Sequence, residues 1–233
     1  AAAEHYKLTS VDVFPYESIF LDPSGLLGGR LSDDTAEFYF NSGYEVHSDY
    51  DHLGHELGFL AHLCGLEAAA LSEGTNTASF WAEQQQVFLA GHLLRWLPPL
   101  VIAIEQAGSS FYDRLADLTL ELCVDHLQGQ AQEDRIGPIY IDSLPRPPQM
   151  DAQDSGLKDI AGLLTTPPYS GLFLSRDAIS ALARRHEIPR GFGDRAQMLT
   201  NLLRTAGQYD AAGSIFADLS EICRAWADGY QEQ

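Results

Sequence analysis

The chain is poor in positive charge, poor in cysteine and free of long apolar runs, and each shortage closes off a class of function. Only 14 Lys and Arg stand against 33 Asp and Glu, for a formal net charge of -19. Nucleic-acid binding rests on cations that displace the counterions of a phosphate backbone, so this balance argues against DNA or RNA as the partner. A basic partner, such as an arginine-bearing peptide, is instead steered inward. The three cysteines, Cys64, Cys123 and Cys223, are widely separated and in no CxxC pair. Neither a disulfide framework nor a zinc knuckle follows; a reducing compartment fits, and the apolar faces around them predict core positions. No stretch approaches the ~18 consecutive apolar residues of a membrane span, and residues 1–30 lack a basic segment followed by an apolar one. The expectation is a cytoplasmic chain without membrane insertion, and the start, Ala1 to Ala3, reads as a trimmed N-terminus. Catalytic signatures are missing as well. HExxH and GxSxG do not occur, and Gly25, Gly28 and Gly29 form neither GxGxxG nor a phosphate loop, since no strand precedes them.

What is present is an ordinary globular composition, 45% hydrophobic and 20% charged, in 233 residues that can bury one core. One domain over residues 1–233 is therefore expected, and it reads as all-α. Residues 1–30 include the apolar loop VDVFPYESIFLDPSGLLGG, broken by Pro15, Pro23 and glycines. Residues 31–127 form the helical core. A short helix starts at Ser32 or Asp33 and stops near Gly43. The next carries Leu53, Leu57, Leu60 and Cys64 at helical spacing, and the following one runs through Phe88 and Trp96 to a stop at Pro98-Pro99. A further helix spans residues 100–127. Residues 128–170, with Pro138, Pro145, Pro147, Pro148, Pro167 and Pro168, read as a long loop or linker. Residues 171–233 return to helix in three segments, the second capped by Asp194. No run of alternating β-branched residues is long enough for a sheet, so a helical bundle is predicted.

The densest cluster of chemistry is DYDHLGHELGFLAHL. On a helix His52, His55, Glu56 and His62 share faces in the manner of metal ligands, which supports one alternative, a helical metal-binding protein or metalloenzyme. Against it, the paired carboxylate and ExxH helices of a di-iron bundle are missing. Asp49, Asp51 and His52 sit at a loop-to-helix junction, where short acidic side chains cap the helix start. Beside an apolar loop with Phe14, Tyr16 and Phe20, the same groups also suit a basic, partly hydrophobic peptide held through arginine.

PYESIFLDPSGLLGG, DYDHLGHELGFLAHLC, QQQVFLAGHLLRWLPPL and FYDRLADLTLEL, in this order, resemble the TorD/DmsD/NarJ chaperones of molybdenum enzymes. The resemblance runs from Pro15 to about Leu127, and the later SGLFLSRDAISALARRHEIPRGFGDRAQML is similar to the C-terminal part of some members. It implies an all-helical, non-enzymatic protein. Members bind the twin-arginine leader of a molybdopterin enzyme's catalytic subunit in the cytoplasm and hold export back until the cofactor is inserted. The family's acidic-Pro-Asp-His signature falls on Asp49, Tyr50, Asp51 and His52, with Tyr50 where proline is usual. Carried over residue by residue, the leader-binding positions are Glu17, Asp49, Asp51 and His52, lined by Phe14, Pro15, Tyr16 and Phe20. No motif assigns the chain a cofactor of its own, and the expected state is a monomer or homodimer.

Overall fold

The computed structural model describes residues 5–6, 8–108, 110–131, 146–150 and 154–233. The chain packs as two compact units, Pro15–Ser143 and, from its two ends, Ala1–Phe14 with Leu144–Gln233, where composition predicts one domain. The all-α class holds. Among the described residues every regular element is helical, and the only β feature is an isolated antiparallel bridge between Tyr16 and His52.

In the unit Pro15–Ser143 the apolar loop contains one short helix, α1 (Glu17–Leu21), with all five residues buried. Helix α2 spans Arg30–Asn41, two residues ahead of the predicted start, and Gly29 precedes it at φ 79°, a conformation that favours glycine. Helix α3 (Leu53–Glu73) starts on His52 and ends on Gly74 in the left-handed conformation. Its buried face is centred on Glu56, Phe59, Leu63 and Ala70, while Leu53, Leu57, Leu60 and Cys64 are half-buried on the flank. A polar Glu56 had placed the predicted stripe one position round the helix.

The segment after α3 departs most from the sequence pattern. Helix α4 (Ala78–Phe88) passes into a π-helical segment, Leu89–Leu93, and then into α5 (Leu94–Ala107) without leaving helix. Pro98 and Pro99 lie inside α5 rather than ending it. The π segment runs straight into α5, with Leu94 N–H donating back to Leu89 O, so both prolines stand inside a continuous helix just past the first turn of α5. Each proline removes one backbone donor from that helix, and burial of Trp96, Leu97, Leu100 and Val101 offsets the loss. By length and composition Ala78–Ala107 could also cross a membrane, but 67% of its apolar window is buried against the protein itself. The helix predicted over residues 100–127 is divided at Gly108 (φ 74°), and α6 covers Ser110–Ala131.

The second unit contains a π-helical turn, Leu8–Asp12, and helices α7 (Leu157–Thr165), α8 (Pro167–Ser170), α9 (Arg176–Arg185), α10 (Arg195–Gln208) and α11 (Ala212–Glu232). The loop predicted over residues 128–170 is therefore interrupted. Residues 132–145 lie outside the described residues, whereas 157–165 and 167–170 are helical because Ile160, Ala161 and Leu164 pack on the core of this unit. That core joins Ala161, Ile179, Leu182, Leu199, Leu202 and Ile215. Asp194 caps α10 as predicted, accepting from Gln197 N at 2.8 Å.

Candidate functional site

The loop 15–18 and the turn 49–53 are stitched together by backbone. Glu17 N–H donates to Asp51 O (2.9 Å) and Leu53 N–H to Pro15 O (3.0 Å). The Asp51 carboxylate, 1% exposed, accepts from Ser18 N–H at 3.0 Å and so caps α1 from the other segment. His52 caps α3 itself: Nδ1 accepts from Gly54 N–H at 3.0 Å, which requires an unprotonated Nδ1. Burial, then the neighbouring His55, push the His52 imidazole below its ordinary range, in keeping with that role. Asp49 stands at φ 54°, exposed, with Ser48 Oγ donating to it at 2.9 Å. Tyr16 is half-buried and edge-on to His52, ring centroids 4.9 Å apart.

Under this surface lies a buried polar cluster. Glu17, 0% exposed, receives Thr35 Oγ1 (3.1 Å) and His92 Nδ1 (3.0 Å) on Oε2. Glu56, also 0% exposed, receives Trp96 Nε1–H on Oε2 at 3.1 Å. Oε1 of each has no hydrogen-bond partner among the described residues. Burial, then the charge of Glu17, raise the Glu56 carboxyl well above the usual carboxylate range. Tyr39, fully buried, donates to Tyr50 O at 2.7 Å and ties the 49–53 turn to α2.

The carried-over positions thus divide. Asp49 is exposed, and Tyr16 and His52 are half-buried beside it; Pro15, Glu17, Phe20 and Asp51 are inside. Phe20 packs on Trp96, ring centroids 5.8 Å apart. Phe14 is half-buried and belongs to the other unit. The metal alternative fails on geometry. Glu56 faces Trp96, His62 Nε2 lies 2.9 Å from Ser42 O, and His52 uses Nδ1 as a cap, so His52, His55, Glu56 and His62 do not converge. Among the described residues no three His, Cys, Asp or Glu side chains are placed to hold a metal ion. The thiols are equally unreactive: all three cysteines are free, and burial pushes Cys123 up to about 11.

His92 joins this cluster to a second feature. It lines a cleft of about 520 Å³ between α2 and the Ala78–Ala107 helix, with Leu31, Phe38 and Val87 as apolar lining, Asp34 and Glu37 as acids and Arg95 as a cation. Asp34 is paired with the exposed Arg30 at 3.6 Å. Thr35, Glu37, Phe38 and His92 had no sequence signal of their own. Only the i, i+3 and i+4 spacing of Leu31, Asp34 and Phe38 on one face of α2 could have grouped the cleft.

Residues 6–101 match the family model described as nitrate reductase delta subunit. Among curated proteins, chaperone protein TorD of Aeromonas salmonicida is 32% identical over 112 residues, 48% of this chain and 50% of the relative. TorD of Vibrio cholerae is 32% identical over 124 residues, 48% and 55% of the two chains, and that of Aliivibrio fischeri 31% over 124 residues, 50% and 57%. The chain spans about half the length of the curated relatives it matches, and each is named a chaperone rather than an enzyme. No solved structure matches the chain. The PYES loop and the Asp49-to-Cys64 helix start both lie inside the matched segment, and over that segment the chain is similar to the nitrate reductase delta subunit family and to the TorD chaperones.

Proposed function

We propose that the chain is a cytoplasmic chaperone for the catalytic subunit of a molybdopterin-containing oxidoreductase, holding that subunit's twin-arginine leader until the cofactor is inserted. The observation that carries this reading is the cleft between α2 and the Ala78–Ala107 helix, which sets Asp34 and Glu37 beside Leu31, Phe38 and Val87. A leader that pairs arginines with apolar residues matches both halves: carboxylates take guanidinium in charge-assisted hydrogen bonds, and the apolar wall takes the rest. Arg95 puts one cation on the lining, so the leader's arginines belong beside Asp34 and Glu37. Asp49, Tyr16 and His52 form a second contact at the surface, and Glu17, Asp51, Pro15 and Phe20 hold that contact in shape from behind. The net charge of -19 steers the basic leader toward either place.

The test is titration calorimetry with the leader peptide of a molybdoenzyme encoded beside this chain. Binding is expected at low ionic strength and is expected to weaken as salt screens the charges. Replacing Asp34 and Glu37 together by Lys is expected to weaken it by roughly tenfold or more, since two attractive contacts become repulsive. A folded Asp34→Lys/Glu37→Lys variant that binds as tightly as the parent removes the cleft assignment. Absence of any leader binding by the folded parent at low salt removes the leader reading as a whole. A pull-down that still captures the leaderless subunit would then place recognition on the folded client.

A further inference from the structure

Helix α6 carries four large apolar side chains on its outer surface. Phe111, Leu115, Leu118 and Leu122 are 64%, 47%, 60% and 65% exposed, and their spacing of four, three and four puts them in one stripe. The helix is already anchored by another face, where Ala116, Leu120 and Cys123 are buried and α5 packs against it. The stripe is therefore surplus to the fold of its own unit. A solvent-facing helix would carry polar residues there, and contiguous exposed patches of this kind mark contact surfaces.

We propose that α6 pairs with α6 of a second copy of this chain, antiparallel and about a two-fold axis. The stripe is self-complementary in that arrangement: Phe111 meets the partner's Leu122, and Leu115 meets the partner's Leu118. Charge decides the direction. Arg114 and Glu121 are exposed, seven residues apart, and lie on the same flank of the stripe. A two-fold axis perpendicular to the helices brings like flanks together, so each Arg114 stands beside the partner's Glu121. Parallel pairing would set Arg114 against the opposite flank, occupied by Tyr112, Thr119 and His126, which offers it no carboxylate. Four side chains amount to a patch on the order of a few hundred Å², short of the roughly 800 Å² per partner of a standard interface, so the dimer is weak and reversible. Two chains of net charge -19 also repel. Added salt screens that repulsion and leaves the apolar contact, so dimerisation strengthens with ionic strength while leader binding weakens.

Sedimentation equilibrium of the full chain over a concentration series tests this directly. The parent is expected to dimerise with a dissociation constant on the order of 100 μM at moderate salt, the weak end for an interface of this size. Leu118→Asp with Leu122→Asp is expected to leave a folded monomer at every concentration. Arg114→Glu is expected to weaken the dimer several-fold, and Arg114→Glu with Glu121→Arg to restore it. A parent that stays monomeric up to about 1 mM overturns the proposal, whether the stripe is covered by the rest of the chain or by a client. A dimer that survives the double Asp substitution, or a charge exchange that restores nothing, overturns it as well.

Discussion

Replacing Trp96 by alanine is expected to unfold the unit Pro15–Ser143, whereas replacing it by phenylalanine is expected to leave that unit folded but weakened. Trp96 is 0% exposed, packs against Phe20 and donates its indole N–H to Glu56. Truncating a buried tryptophan to alanine costs about 3–5 kcal/mol in transfer and cavity terms. Leaving Glu56 without its donor adds about 1–3 kcal/mol. The sum reaches most or all of the roughly 5–15 kcal/mol that a domain has in total. Phenylalanine keeps most of the packing, so the hydrogen bond dominates its cost, about 1–3 kcal/mol. Urea denaturation followed by far-UV circular dichroism measures both. In a Trp81→Phe background the Trp96 variants keep only Trp226, which lies in the other unit, and its fluorescence reports whether that unit unfolds in the same transition. A Trp96→Ala variant within about 1 kcal/mol of the parent would show that Trp96 is not a keystone of this core.

The elements that sequence reasoning located are those written in local chemistry. His52 at the start of α3 and Asp194 at the start of α10 act through their own or neighbouring backbone. Where the outcome depends on distant partners, local rules misplaced it. Pro98-Pro99 normally ends a helix, but the π segment before it and the burial around Trp96 carry the helix through. Glu56 reads as one of a set of possible metal ligands, yet the donor it meets lies 40 residues along the chain, and the His92 that meets Glu17 lies 75 residues along. The same limit applies to the candidate site. Asp49 and His52 were legible as a junction from the DYDH spacing. Burial of Glu17 and Asp51, and the cleft on the far side of His92, exist only once α2 and the Ala78–Ala107 helix are brought together.

Glu56→Gln is expected to stabilise the protein at neutral and alkaline pH and to flatten its pH dependence. Burial and the charge of Glu17 make the Glu56 carboxyl hold its proton more tightly in the folded chain than in the unfolded one. Folding therefore takes up a proton between the ordinary carboxylate range and the raised value. The stability it contributes is fully present below the unfolded pKa and falls as pH rises through that window. Glutamine has the shape of the protonated acid, keeps an oxygen for the Trp96 indole N–H and cannot ionise, so the alkaline loss disappears. Each kcal/mol regained raises the melting temperature by roughly 2–4 °C in a chain of this size. His52 acts in the opposite sense. Its imidazole is held below the ordinary value, so its contribution is present above about pH 6.5 and is lost on acidification, when Nδ1 can no longer cap α3. His52→Asn, which keeps a capping acceptor, is expected to remove that acid-side loss and leave the alkaline side unchanged. Melting temperatures of the parent, Glu56→Gln and His52→Asn across pH 4.5 to 9 separate the two effects. If Glu56→Gln lowers the melting temperature equally at both ends of that range, Glu56 is an ionised acceptor that the core requires.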